Sequence, residues 1–329
     1  MIIDKENTMN NKNSPLVSIL MAVYKPNYEW FKEQLISLNN QSYENLELII
    51  YDDCPEKPVD EKFIYNYIKN FNYKIVRGKI NMGSNKAFEN LTKLGNGEYF
   101  AYCDQDDVWE CDKIKILVNI LEKDKSVLVY SDMSVIDENG VQKYETLIDA
   151  KPRLKYIEGR NLTVQFFFEN CISGCCMLVK NETAKSAVPF SEHMIHDQWI
   201  CLAATLDGNI SFVDKRLVKY RIHENNQTGS LRGVFTKKDY YNLRVNILED
   251  RINDFSKVLE KKIQKKSNNM DVFDIFNINE IKEFCNARIN KKLIQIFKYR
   301  DLCKKEAYFE MLIKYMPKLM VEYLLKKLK

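Results

Sequence analysis

Tyr99-Phe100-Ala101-Tyr102-Cys103-Asp104-Gln105-Asp106-Asp107-Val108-Trp109 sets an apolar run of strand length directly against a cluster of carboxylates. Carboxylates packed within four residues repel one another, and a divalent cation removes that cost. Hard oxygen ligands suit Mg²⁺ or Mn²⁺, ions that also bind substrate phosphates. An isolated Asp-x-Asp reads as readily as an acidic turn or a helix N-cap. The strand in front of it, and the acidic rim described next, favour metal–diphosphate binding.

Working outward, residues 17–24, 46–51, 73–76 and 127–130 are further short apolar runs of strand length. Helical spacing of apolar residues lies between them, over 29–39, 63–71, 85–94 and 113–121. Strands alternating with helices predict an α/β sheet of parallel strands, joined by crossovers and covered on both faces. Such sheets bind ligands at the carboxyl ends of their strands. The residues there are Tyr24-Lys25-Pro26, Asp52-Asp53 and Asp104-Gln105-Asp106-Asp107, so acidic chemistry collects at one rim. Beyond residue 150 the alternation weakens. A strand is predicted over 175–179, a helix over 199–206, and two strands over 210–213 and 217–220. From Thr236 the pattern is helical and basic, with Ser267-Asn268-Asn269 as a break and Pro317 inside a last helical stretch. The organisation read from this is a flexible tail over 1–14, an α/β domain over 15–230 and a basic helical region over 231–329.

The 329 residues carry a net charge of +4, with 45% hydrophobic and 29% charged residues. That balance argues against a dedicated nucleic-acid binder and excludes disordered and fibrous classes. The average conceals an asymmetry: the first 230 residues have a net charge of −6 and the remainder +10. Nine cysteines include no Cys-x-x-Cys pair, which speaks against a disulfide framework. Cys171-Ile172-Ser173-Gly174-Cys175-Cys176 reads as small residues packing a buried strand rather than as a metal site. Neither a signal-peptide core at the N-terminus nor a membrane-spanning apolar run is present in the sequence, so a soluble, cytoplasmic protein is predicted.

Four further stretches carry candidate chemistry. Asp52-Asp53-Cys54-Pro55 ends a strand, where a carboxylate can accept a nucleobase N–H or merely close a turn. Asn81-Met82-Gly83 opens a helix, and its glycine permits either close approach to an anion or a simple turn. In His196-Asp197-Gln198-Trp199, Asp197 is an N-cap or a base. Arg221 and His223 share a strand face, where they meet a diphosphate or metal, or end a solvated strand. The chain has no G-x-G-x-x-G, G-x-S-x-G, H-E-x-x-H or P-loop.

The order of these motifs, with Gly97-Glu98-Tyr99, Gly174-Cys175-Cys176-Met177 and Tyr220-Arg221-x-His223-x-x-Asn226, resembles family 2 glycosyltransferases of the GT-A fold. The Asp-Gln-Asp-Asp-Val-Trp and His-Asp-Gln-Trp forms are similar to bacterial rhamnosyltransferase-like members that build cell-surface polysaccharide. The resemblance covers residues 15–230. It implies a mixed sheet with a Rossmann-like nucleotide-sugar site, here followed by a helical extension. By that resemblance Tyr24, Asp52 and Asp53 hold the base, with Asp53 in direct contact, beside Asn81 and Gly83. Asp104 lies near the ribose and shares a metal with Asp106 and His223. Arg221 lies near the diphosphate, and Asp197 is the base that deprotonates the acceptor hydroxyl, with an ordinary carboxylate pKa. The implied reaction is a metal-dependent, inverting sugar transfer. Its cofactor is Mg²⁺ or Mn²⁺, its donor a UDP- or dTDP-sugar, and its acceptor a glycan or lipid-linked glycan. Lys25 and Cys54-Pro55 depart from the Asn and Gly-Ser usual in the family.

In the basic end, Tyr315, Leu319, Tyr323 and Leu324 interleave with Lys314, Lys318, Lys326, Lys327 and Lys329. This pattern fits a packed helical appendage or a peripheral contact with anionic lipid at the inner face of the plasma membrane. Two other function classes compete: a nucleotidyltransferase forming nucleotide sugars, and a non-catalytic module binding nucleic acid or a partner. The first usually has a Gly-rich N-terminal loop, which residues 17–26 lack, and neither accounts for the ordered acidic motifs.

Overall fold

The computed structural model describes residues 14–224, 226, 233–265 and 272–328. Most of the predicted tail, the Ser267-Asn268-Asn269 break and Asn225 lie outside the described residues. Nine strands form one sheet: β1 (Val17–Val23), β2 (Leu46–Asp52), β3 (Asn72–Arg77), β4 (Tyr99–Cys103), β5 (Val108–Trp109), β6 (Leu128–Ile136), β7 (Gln142–Tyr144), β8 (Met177–Lys180) and β9 (Ile210–Arg221). Their order is β3-β2-β1-β4-β8-β6-β9-β5, with β7 pairing on the side of β6. β1 to β4 are mutually parallel, whereas β8 runs antiparallel between β4 and β6. The sheet is therefore mixed, and the purely parallel expectation holds only for its first half.

Helices on both faces explain why β1, β4 and β6 are buried along almost their whole length. Helix Tyr28–Asn39 starts where Asn27 accepts the N–H groups of Glu29 and Trp30, and it buries Phe31, Leu35 and Leu38. Helix Ser84–Leu94 starts at Gly83, whose φ of +81° a side chain would resist, and it buries Ala87, Phe88 and Leu91. Helix Lys113–Lys123 buries Ile114, Leu117, Val118 and Leu121.

Two predicted elements differ in ways that matter for the site. Residues 210–213 and 217–220 belong to one strand of 12 residues, β9. Its register against β6 moves from Ser131↔Val213 to Asp132↔Arg216, so exposed Asp214 and Lys215 bulge out without ending the pairing. The two-residue strand β5, unforeseen in the sequence, pairs antiparallel with β9, Val108 opposite Lys219 and Trp109 opposite Val218. This pairing draws the acidic loop against the end of β9.

The helices Ile247–Lys265 and Val272–Ile289 put Leu248, Ile252, Phe255, Val258, Ile278 and Ile281 into the same core as the sheet. A smaller core joins Val234, Tyr240, Tyr241, Val245, Ile313, Val321 and Leu325. Between the C-terminal helices, Arg288 and Glu310 form a buried pair at 2.7 Å, and the Tyr240 hydroxyl donates to Glu310. Pro317 does not continue a helix. It separates Lys304–Ile313 from Lys318–Leu328, its carbonyl receiving the N–H groups of Met320 and Val321. The nine cysteines are free thiols, and no helix among the described residues is long and apolar enough to cross a membrane.

Candidate active site

The acidic loop after β4 is fastened from two sides. Gln105 accepts the Tyr24 N–H at 2.9 Å and donates to the Tyr24 carbonyl at 3.1 Å, tying the loop to the end of β1. Asp107 is fully buried and accepts the Arg221 N–H at 3.0 Å. Its other carboxylate oxygen is buried with the Cys175 thiol as a neighbour. Burial and the charge of Asp106 push Asp107 up to about 7.

Asp106 meets His223 across the rim, with Oδ2 and Nε2 2.9 Å apart. The Trp30 ring lies against the imidazole at 4.8 Å, and its Nε1–H donates to the Glu138 carbonyl. Arg221 corrects an expectation. Its guanidinium is buried and does not open toward the rim. Nε donates to the Asp106 carbonyl at 2.8 Å, Nη1 to the Asp137 carbonyl at 3.2 Å, and Nη2 to Glu33. Arg221 therefore positions the acidic loop in place of offering a free cation to a diphosphate.

The Asp52-Asp53 pair is divided in the same way. Asp52 is turned inward, accepting the Val59 N–H and pairing with Arg77 at 2.8 Å. Asp53 accepts the Met82 N–H at 2.9 Å and the Gly83 N–H at 2.7 Å. Asn81 also accepts from the Gly83 N–H. The loop after β3 is thus folded around Asp53, and the exposed Tyr24 ring stands at the neighbouring strand end. Asp52 instead ties the loop after β2 to the end of β3, through Cys54, Val59 and Arg77, which sequence adjacency to Asp53 does not reveal.

Asp197 lies in the first turn of helix His196–Thr205, whose N-cap is Ile195, so the capping alternative is excluded. Its carboxylate accepts the Asn170 amide at 2.9 Å, the Gln198 N–H at 2.6 Å and the Gly174 N–H at 3.2 Å. Burial raises its pKa to about 6 against these hydrogen bonds, so the ordinary value expected for it is corrected upward. Its neighbours are structural. His196 stacks on Phe88 at 4.0 Å, and burial pushes its imidazole down to about 3, which keeps it neutral. Gln198 donates to the Phe166 carbonyl and Trp199 to the Ala187 carbonyl. A Cβ on Gly174 would lie 2.6 Å from His196 Nε2, so only glycine fits between this ring and Asp197.

Electrostatics joins the two halves. Burial, then the charges of Asp107, Asp106 and Asp197, push half-buried Asp104 well above the usual carboxylate range. The backbone joins them too: the Gly174 N–H donates to Asp197, and the adjacent Cys175 thiol lies with Asp104 and Asp107. Behind them Lys113 is fully buried, its Nζ 3.0 Å from the centre of the Trp109 ring and without a hydrogen-bond partner. Burial lowers its pKa to about 8.

Residues 18–185 match the family model described as Glycosyl transferase family 2. The chain belongs to this family. An uncharacterised glycosyltransferase of Rickettsia typhi is 30% identical over 226 residues, spanning 67% of this chain and 68% of the relative. The dTDP-rhamnosyl transferase RfbG of Shigella flexneri is 28% identical, over 61% of this chain and 71% of its own. UDP-Glc:alpha-D-GlcNAc-diphosphoundecaprenol beta-1,3-glucosyltransferase WfgD of Escherichia coli is 24% identical, over 64% and 78%. Among solved structures, residues 1-349 of S. aureus TarS in complex with UDP-GlcNAc superpose with a TM-score of 0.56 at 18% identity, covering 83% of this chain and 72% of that TarS chain. The protein is accordingly an enzyme, a glycosyltransferase with the GT-A fold and a helical C-terminal extension.

Two sets of residues in this glycosyltransferase bear on a divalent cation. Asp104, Asp107 and Cys175 are the three-ligand cluster among the described residues, their ligand atoms within 4.8 Å of one another. Burial holds the Cys175 thiol well above its usual pKa, and a neutral thiol is a poor ligand for a hard cation. Asp106 and His223 fit better, offering a carboxylate oxygen and an imidazole nitrogen at one point of the rim. The expected trio of Asp104, Asp106 and His223 is thus only partly assembled, Asp104 standing with Asp107 and Cys175. The roles of Gln105, Trp30 and Asn170 went unread in the sequence, because each acts on a partner remote in the chain. Lys113 left one trace, a lysine at the start of the amphipathic pattern over 113–121.

Proposed function

We propose that this chain is a metal-dependent, inverting glycosyltransferase. It moves a sugar from a UDP- or dTDP-sugar to a hydroxyl of a glycan or lipid-linked glycan during assembly of bacterial capsule, O-antigen or exopolysaccharide. The observation that carries the reading is the convergence of three strand ends and one helix start on a single acidic rim. The Tyr24–Gln105 clamp, the Asp53 loop and the Asp106–His223 pair lie at the strand ends, and Asp197 is tied to the acidic loop through Gly174-Cys175. Two relatives, the UDP-Glc glucosyltransferase WfgD and the dTDP-rhamnosyl transferase RfbG, support the donor class.

In this reading Tyr24, Asp53, Asn81 and Gly83 hold the nucleotide, and Asp104 reaches the ribose. Asp106 and His223 would hold Mg²⁺ or Mn²⁺, which when bound neutralises charge on the departing diphosphate. Arg221 and Gln105 keep the loop in register. Asp197 accepts the proton of the acceptor hydroxyl as its oxygen bonds to the anomeric carbon. The bond to the nucleoside diphosphate breaks with its electron pair on the leaving oxygen, and the single displacement inverts the centre. Asn170, Gln198 and Gly174 aim the carboxylate, and its pKa of about 6 leaves it ionised at neutral pH yet basic enough to take the proton.

The deciding experiment incubates the purified chain with a panel of UDP- and dTDP-sugars and Mn²⁺, and follows nucleoside diphosphate release. One donor is expected to turn over, with loss of turnover in Asp197→Asn and in Asp106→Asn. Full activity of Asp197→Asn, or a product retaining the donor's anomeric configuration, would remove the mechanism.

A further inference from the structure

The last helix, Lys318–Leu328, has two faces with different fates. Val321 and Leu325, one turn apart, are buried against Ile313, Tyr240, Tyr241 and Val245. On the opposite side, Leu319 is 80% and Tyr323 57% exposed, again one turn apart, with Met320 exposed beside them. At 100° per residue, Lys326 and Lys327 flank this stripe on either side. Lys327 Nζ stands 4.9 Å from the centre of the Tyr323 ring. The turn before the helix adds Tyr315, 75% exposed. Residues 291–329 hold 11 basic and 4 acidic side chains, a net charge of +7. An outward stripe of leucine, methionine and tyrosine contributes nothing to the core, and water penalises it.

We propose that this face of helix Lys318–Leu328 docks the glycosyltransferase on an anionic phospholipid surface. Leucine and methionine would enter the acyl boundary, tyrosine rings sit at headgroup depth, and the lysines meet lipid phosphates. Charge selects this occupant over others. A second copy would bring the same positive field to the contact, and a polyanion such as RNA would engage the lysines while leaving Leu319 and Met320 in water. Because no helix among the described residues can span the bilayer, the contact is peripheral. The inference deepens the functional reading by giving a lipid-linked acceptor a surface. Binding is measured without turnover, so failure of either claim leaves the other standing.

Co-sedimentation of the full chain with vesicles tests it. Phosphatidylglycerol–phosphatidylethanolamine vesicles should bind at least about tenfold more tightly than pure phosphatidylcholine, and less tightly as salt is raised. The double substitution Leu319→Ser with Tyr323→Ser should weaken binding about tenfold by removing apolar insertion. Lys326→Glu with Lys327→Glu should weaken it by more than about tenfold, at about fivefold for each lysine lost. All four side chains are exposed, so both variants should keep the circular dichroism spectrum and any donor turnover of the parent. Equal binding to both vesicle types would overturn the proposal. So would undiminished binding by both variants, a Leu319-dependent dimer in sedimentation, or RNA binding without lipid binding.

Discussion

Asp106 and His223 stand 117 positions apart in the chain and face each other at 2.9 Å. β5 carries the acidic loop onto β9, and the Arg221 N–H takes Asp107, so Asp106 is left pointing at the residue two places further on. In the proposed function, a carboxylate and an imidazole held in this way would supply half of a cation site.

Substitution His223→Ala should therefore raise the Mn²⁺ concentration for half-maximal turnover by about tenfold to a hundredfold. Titration of turnover with Mn²⁺, and metal binding followed by electron paramagnetic resonance, both read the effect. An unchanged metal requirement would assign the pair a purely structural role.

The raised pKa of Asp197 sets a pH limit. A base must be ionised, so kcat should fall tenfold per pH unit below about 6 and level off above it. Stability runs the other way. The folded pKa lies above the unfolded one, so between about pH 4 and 6 the native state holds more protons and loses stability as pH rises. Replacing Asp197 with Asn removes this loss. Urea denaturation should show the variant gaining on the parent by about 2 kcal/mol from pH 4 to pH 7, alongside a drop of about a hundredfold or more in kcat.

Arg221 is predicted to be unforgiving. Its buried fork bonds three backbone carbonyls and Glu33, and lysine cannot reproduce that geometry. Arg221→Lys should cost about 3 kcal/mol in denaturant unfolding. Binding of donor should weaken only through the displaced acidic loop. A stable Arg221→Lys protein with a large rise in KM alone would instead restore the direct diphosphate contact.

Gly174 separates the His196 ring from the Asp197 carboxylate. Gly174→Ala places a methyl 2.6 Å from Nε2, which forces the ring or the turn at Gly174–Cys176 to move and should cost about 1–3 kcal/mol. The Gly174 N–H then leaves Asp197, and kcat should drop with it. Adding His196→Ala opens space for the new methyl, and recovery of part of the lost kcat in the double variant would show that crowding, rather than glycine's flexibility, was the cause.

Periodicity alone located the first four strands and the helices between them, because buried strands and amphipathic helices leave patterns that depend only on near neighbours. The acidic rim was legible for the same reason: a strand end followed by Asp104-Gln105-Asp106-Asp107 needs no distant partner to be recognised. What stayed hidden depends on remote pairing. Asp214 and Lys215 looked like the end of a strand, yet hydrogen bonding to β6 carries β9 past them.

The sequence by itself determined the strand–helix alternation, the carboxylates at the strand ends, the order of motifs and the basic C-terminal end. Tertiary structure alone decided which of those groups face the rim. Asp52 and Asp53 are adjacent, but Val59 and Arg77 turn one inward while the other closes the loop at Gly83. Arg221 ends β9 and His223 lies two residues beyond it, but only the histidine reaches the rim, since the guanidinium finds Asp106, Asp137, Glu138 and Glu33 in the interior. A residue type announces what chemistry is possible. Which atoms remain available for it depends on hydrogen bonds to residues far along the chain, and those exist only once the sheet has closed.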